Sequence, residues 1–223
     1  MTVAKRRRLE REQRRALILD AAQKVFDEHG LAAATMEQVA AAAELSKGSL
    51  YLHFRSKDEL FMGLAADVLA EVRAVLAPIA ADEALDGLTM FGNMATAYSE
   101  IAMSRPNTVR NSLIWHAGGD MVDTETDGFL SYRRGLEEVL QLFGSALLRG
   151  QKDGTIRPEL DPLITMMQFW PSLAGAVVMT HNSEEMQRRL ERAIEHSRLV
   201  PGLIDIFLRG IAICPDSAME SES

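Results

Sequence analysis

Between Thr35 and Leu60 the chain reads TMEQVAAAAELSKGSLYLHFRSKDEL, and few folds accommodate that spacing of apolar residues. Thr35, with Gln38 three places on, forms a capping box that starts a helix. Met36, Val39, Ala40 and Ala43 recur as one helical face requires, and Ala40 is small enough for a crossing helix to come close. Leu45 plugs a turn. Ser46 caps a second short helix whose inward pair is Leu50 and Phe54. Two short helices joined in this way form a helix-turn-helix, in which the second helix enters the major groove of double-stranded DNA. Its outer side keeps Lys47, Ser49, Tyr51 and His53, and Gly48 lets the backbone approach closely. Ser56 and Glu59 form another capping box, so Lys57 and several free backbone N–H groups stand at a helix start suited to phosphate.

Upstream, Leu17, Ile18, Ala21, Ala22, Val25 and Phe26 fall on one stripe of a helix from Arg14 to Gly30, where glycine ends it. A helix followed by a helix-turn-helix with SKGSLYLHFRSKDEL resembles the TetR family of bacterial transcriptional regulators. The resemblance covers residues 11 to 64 and rests on Ala21-Ala22, Phe26, Gly30, Thr35, Val39-Ala40, Ser46-Lys47-Gly48, Leu50-Tyr51, His53-Phe54, Lys57 and Leu60. Beyond residue 65 it rests on length, helical content and GTIRPELDP (154–162), which looks like a linker between late helices of the family. One position departs. Glu44 stands where the turn often carries glycine, and a left-handed backbone there costs a non-glycine residue roughly 1 kcal/mol.

The resemblance implies an all-α homodimer: an N-terminal three-helix helix-turn-helix head followed by a helical-bundle domain for ligand binding and dimerisation. It implies a regulator, usually a repressor, released from a palindromic operator by a small lipophilic effector. Thr35, Tyr51, His53 and Lys57 would then hold phosphates. Lys47, Gly48 and Ser49, behind the cap Ser46, would lie nearest base edges. Leu52, opposite the buried Leu50–Phe54 pair, is placed to touch a thymine methyl. A DNA-binding organiser with the same head, no usable cavity and a protein partner in place of an effector is the alternative.

Charge divides along the chain. Of 24 Lys/Arg and 32 Asp/Glu, residues 1–60 hold 11 and 9, and seven of those cations lie between Lys5 and Arg15. This basic arm (1–12) is suited to phosphates or an adjacent minor groove, or is a disordered solubilising tail. The head is expected over 13–60, the ligand-binding and dimerisation body over 61–213 and a disordered tail over 214–223. Met1 to Arg8 is followed by a charged helix and no apolar secretory segment. The single cysteine, Cys214, suits a reducing cytoplasm and reads as a small apolar residue.

Strand signals are almost absent; Asp153-Gly154 comes nearest to a hairpin turn. Helices are expected from Lys57 to about Leu76 before Pro78, from Glu83 to Ser104, from Pro106 to Gly118-Gly119, and from Glu125 to Arg149 before Gly150. A further helix opens at Asp161-Pro162 and reaches Thr180. A last element spans Glu184 to Ile213, bent or broken at Pro201-Gly202. Leu60, Leu64, Val68 and Val72 line the inner side of the first of these, and Leu88, Phe91, Met94, Ala95 and Tyr98 that of the second. Pro162 to Ser183 contains no Lys, Arg, Asp or Glu, yet Gln168, Pro171 and Ser172 interrupt it and no basic flank or aromatic belt frames it. It reads as a helix buried in its own domain and against a second subunit, not as a membrane span.

Catalytic chemistry finds no support. The five histidines have neither metal-ligand spacing nor a cysteine cluster, and no nucleophile elbow or phosphate loop is present, so no metal or other cofactor is expected. Trp115-His116 and Phe169-Trp170 are the stronger ligand candidates. Met94, Met103, Met166, Met167 and Met179 either form ordinary core or line an adaptable apolar cavity. An effector pocket of Met94, Tyr98, Trp115, His116, Met167 and Trp170 is the expectation, with Tyr98 and His116 as its polar contacts. Pro171 frees the carbonyl of Met167. Dimer contacts are expected from Ser172, Gly175, Ala176, Leu190, Ile194 and Leu203.

Overall fold

The 3.6-residue periodicity that runs through most of the chain is realised as helices in the computed structural model. It describes residues 3–118, 125–182, 184, 188 and 195–213, with side chains for all of these but 3, 4, 8, 117 and 118. The described residues form α1 (Val3–Ala33), α2 (Met36–Ala42), α3 (Lys47–Tyr51), α4 (Lys57–Ala80), α5 (Gly87–Ser104), α6 (Pro106–Gly118), α7 (Asp127–Asp153) and α8 (Pro162–His181). A 3-10 turn (His196–Arg198) then leads into α9 (Leu199–Ile211). Among the described residues the strand-like pairing is a single bridge between Ile156 and Ala212. Leu190, Ile194, Cys214, Gly119 and the tail expected over 214–223 lie outside the described residues.

One compact unit comprises the residues up to Leu69 together with Gly118–Gly135. The residues expected to form a basic arm are helical from Val3 and continue into α1, which breaks only at Gly30 (φ 76°). Ile18, Ala21, Ala22, Val25 and Phe26 are buried as expected, but Leu17 is 60% exposed and Leu19 takes the inner place. The correction is a matter of phase. Leu17 lies 100° behind Ile18, just outside the stripe that meets α2 and α4 residues. Met36, Val39 and Ala40 of α2, Leu50 of α3 and Leu60, Phe61 and Met62 of α4 complete this core.

The second unit comprises Ala70–Ala117 and the chain from Leu136 on. Its centre is a cluster of Phe91, Phe143, Phe169 and Phe207, one each from α5, α7, α8 and α9, with ring centroids 4.7 to 6.0 Å apart. Such edge and tilted contacts add to area burial. Four helix ends depart from the sequence expectation. Pro78 does not end α4, because it falls in the last turn and removes one ladder bond only. α5 starts at Gly87 and not Glu83, because Asp86 is the cap, its carboxylate accepting from Thr89 N–H at 2.8 Å.

The third departure is α7, which runs through Gly150 and stops before Gly154, the residue with positive φ (81°). Gly150 serves a different purpose: a Cβ on Gly87 would fall 2.0 Å from its backbone N, so α5 and α7 cross with their backbones nearly touching. Last, Pro201-Gly202 does not break the final helix. Pro201 lies in the first turn of α9, where its missing N–H is no loss. α8 opens as expected, with Asp161 accepting from Ile164 N–H at 2.8 Å and proline in the first turn, and it continues through Pro171 to His181.

Candidate functional site

In the head, Thr35 Oγ1 accepts from Gln38 N–H at 3.2 Å, and Gln38 Oε1 accepts from Thr35 N–H at 2.8 Å, closing the expected box. α2 ends in a Schellman turn: Leu45 N–H reaches Ala40 O at 2.8 Å, and Glu44 N–H reaches Ala41 O at 3.1 Å. Glu44 takes the left-handed position of that turn, with φ 54°. Ser46 then caps α3, its hydroxyl accepting from Ser49 N–H at 3.1 Å. Leu50 and Phe54 are buried, which turns the rest of α3 outward.

Thr35, Ser46, Lys47, Gly48 and Tyr51 are exposed, Ser49 is half-buried, and Leu52 is 81% exposed. The expected DNA-facing residues therefore share the solvent side of α2, α3 and the following loop. Lys47 donates to Glu37 of α2, and its Nζ stands 5.9 Å from the centroid of the Tyr51 ring. That pairing holds the Glu37 carboxyl below its ordinary range and raises the Lys47 ammonium.

Two residues expected at phosphates also have internal roles. Lys57 Nζ donates to Ala32 O at 2.7 Å and Ala34 O at 3.3 Å, fastening the end of α1 to the start of α4. His53 is half-buried in an open cleft of about 290 Å³ that Arg11, Arg15, Phe54 and Glu59 also line. Burial, then the nearby charges of Arg11 and Arg14, lower its pKa. The second capping box forms only in part. Ser56 Oγ accepts from Glu59 N–H at 3.1 Å, but the Glu59 carboxylate turns back to Arg55 N–H at 2.7 Å.

In the body, four expected pocket residues come together. Trp170 Nε1–H donates to Tyr98 Oη at 2.9 Å, and burial pushes the Tyr98 phenol up to about 12 despite that bond. The His116 ring lies 5.1 Å from Trp170 and 5.0 Å from Trp115, with Nδ1 2.7 Å from Ser112 O. His116 is exposed, and Trp115, Trp170 and Tyr98 are half-buried. Met94 is fully buried in the core. Met167 is a correction: it is 57% exposed, because the inner face of α8 is Thr165, Met166, Phe169, Leu173, Ala174 and Val177. Met103 and Met179 are likewise exposed, while Met166 is core.

The sequence reading passed over Asn111. It is 6% exposed on α6, one turn before Trp115 and three residues after buried Thr108. A buried amide of that kind is costly unless something pairs with it. A polar residue on the inward stripe Thr108–Asn111–Trp115 was the available signal.

α8 and α9 pack on each other and turn apolar side chains outward. Leu163, Ile164, Met167 and Met179 on α8 and Ile206 on α9 are all exposed. Of the expected dimer contacts, Ser172 is exposed and Gly175, Ala176 and Leu203 are half-buried. α8 is long and apolar enough to cross a membrane by length and composition.

Known proteins support the same architecture. Residues 18–64 match the family described as bacterial regulatory proteins, tetR family. The HTH-type transcriptional repressor KstR2 of Rhodococcus jostii is 32% identical over 154 residues, 66% of this chain and 70% of that protein. Among solved structures, the fatty acid degradation regulator FadR of Bacillus halodurans superposes with a TM-score of 0.63 at 19% identity, covering 88% of this chain and 98% of that one. The FadR regulator of Bacillus subtilis, solved in complex with stearoyl-CoA, gives 0.61 at 17% identity over 88% of this chain and 98% of its own. With its helix-turn-helix head, its helical body and these likenesses, the chain belongs to the TetR family of DNA-binding transcriptional regulators.

Proposed function

We propose that the protein is a homodimeric repressor that leaves a palindromic operator when a small lipophilic effector binds its body. The observation that carries this reading is the outward face of α3, where a Ser46 cap and the buried Leu50–Phe54 pair leave Lys47, Gly48, Ser49, Tyr51 and Leu52 toward solvent. Two such helices would occupy successive major grooves, about 34–36 Å apart. In this reading Lys47, Gly48 and Ser49 meet base edges, Leu52 meets a thymine methyl, and Thr35, Tyr51, His53 and Lys57 meet phosphates.

The division of labour follows the same lines: residues 1–12 add phosphate contacts, 13–60 read the operator, and 61–213 bind ligand and dimerise. The basic extension is helical, and a helix is too wide for a minor groove of about 6 Å, so backbone phosphates are its natural target. The outward apolar residues of α8 and α9 form the dimer face, where Met167 serves and not in the pocket. An apolar stripe of this size is better covered by a second subunit than left in water.

The effector site is drawn around Tyr98, Trp115, His116 and Trp170, with Met94 behind them and Asn111 as a further polar contact. A lipophilic ligand is supported by the aromatic lining and by the stearoyl-CoA held by the Bacillus subtilis neighbour. Tyr98 and Trp170 satisfy each other, which favours the second reading, an organiser answering to a protein partner. Selection from a randomised duplex pool should return a palindrome. Fatty acyl, steroid and aromatic compounds should then be titrated while the fluorescence of both tryptophans is read. A response that also releases the duplex supports the effector reading, and a flat response across the panel supports the organiser. Trp170→Ala should weaken effector binding while leaving duplex affinity without effector nearly intact.

A further inference from the structure

The recognition helix does not present its one lysine as a free charge. Lys47 opens α3, and its ammonium donates to Glu37, ten residues earlier in the first turn of α2. Both side chains are more than half exposed, so neither is drawn to the other by burial. The same ammonium stands near the face of Tyr51, one turn further along α3. Glu37 lies two residues after Thr35, at a helix start where a phosphate is expected. A bare carboxylate there would repel that phosphate, whereas a carboxylate neutralised by Lys47 does not.

We infer that Glu37 is a positioning residue for operator specificity, holding Lys47 at the base edges and withholding its charge from phosphates. An ammonium has three donors. One is taken by Glu37, and those left are directed by the carboxylate and the Tyr51 ring toward acceptors such as guanine O6 and N7. Binding to any sequence draws on cations free to replace counterions. A lysine that is already neutralised contributes little to that background, yet it still reads a base. Glu37 thereby lowers non-specific affinity without adding a contact to DNA.

This rests on the reading of Lys47 as a base-contacting residue, and the experiment separates the two. The probes are the duplex that the full-length protein selects from a randomised pool and a shuffled duplex of equal length. Affinities of wild type, Glu37→Gln, Lys47→Met and the double variant are measured from 50 to 200 mM salt, after thermal unfolding shows that each is folded. Glu37→Gln is expected to tighten binding to the shuffled duplex, with a log–log salt slope steeper by about 0.9 for one more released counterion. Over this salt range that is about a threefold change, and discrimination against the shuffled duplex falls correspondingly. In the Lys47→Met background Glu37 is a bare carboxylate, so the same change should tighten both duplexes equally and leave the discrimination between them unchanged. An equal effect of Glu37→Gln in both backgrounds would make Glu37 a simple repulsive charge and overturn the inference. No effect in either background would overturn it too. If Lys47→Met alone alters neither base preference nor affinity, the underlying assignment of Lys47 fails first.

Discussion

Glu44 shows how one side chain can sit against its own backbone. Its φ of 54° closes the α2–α3 turn, held by the Schellman hydrogen bonds. Glu44→Gly should stabilise the head by about 1 kcal/mol, seen as a raised urea midpoint for its unfolding at unchanged m-value. A lower midpoint would mean that the glutamate side chain supplies a stabilising contact. Lys57 and Tyr51 separate in a similar test. Tyr51→Ala should weaken binding to selected and shuffled duplexes alike while leaving the urea midpoint unchanged. Lys57→Ala should weaken binding as well, but with a lower midpoint, because two backbone carbonyls lose their cation. Equal duplex affinity for Tyr51→Ala and wild type would remove Tyr51 from the phosphate contacts.

Among the elements, the crossing of α5 and α7 depends on a carboxylate. Asp153 accepts from Gly87 N–H at 2.8 Å, from Thr155 N–H at 3.1 Å and from Thr155 Oγ1–H at 2.6 Å. Burial alone would raise its pKa, but these bonds and the Arg149 charge more than offset it and leave the group lowered. A carboxylate with a depressed folded pKa stabilises above its unfolded value, near 3.9, and that stability is lost as pH falls through the folded pKa. Asp153→Asn should therefore reduce stability at pH 7 and flatten its decline below about pH 4. Parallel wild-type and variant curves of urea midpoint against pH would refute this. The same crossing marks where sequence reading runs out. The capping box at Thr35 and the cap at Asp161 were legible because cap and partner lie three residues apart. That Gly150 is a contact and not a helix end depends on Gly87, more than sixty residues away, and no local pattern carries that information. The pocket shows the same divide. Residue type singled out Tyr98, Trp115, His116 and Trp170, which lie together, but Met167 faces outward, 100° from its buried neighbour Met166.

For the whole molecule, the proposed dimer face is the set of apolar residues left outward on α8 and α9. Met167→Lys combined with Ile164→Lys should give a monomer at micromolar concentration in sedimentation, with helical content retained. Because two heads reach successive grooves only when joined, affinity for a palindrome should then fall toward that of a half-site. A double variant that still sediments as a dimer would place the interface elsewhere. The overall charge of -8 complements this arrangement. The acidic excess lies beyond residue 60, so cations concentrate in the segment proposed to face DNA and binding should weaken steeply with salt.

The bridge between Ile156 and Ala212 carries a consequence for how the chain is handled. Arg157 N–H donates to Ile211 O at 3.0 Å, and Ile213 N–H donates to Thr155 O at 3.1 Å. Thr155 in turn accepts from Leu88 N–H at 3.2 Å. Three distant stretches thus share one short stitch, and its thread is the end of α9. A stop codon placed at Ile211 would remove that thread, so amide exchange should quicken at Arg157 and then at Leu88, more than 120 residues upstream of the cut. A fusion joined after Ile213 leaves the stitch whole.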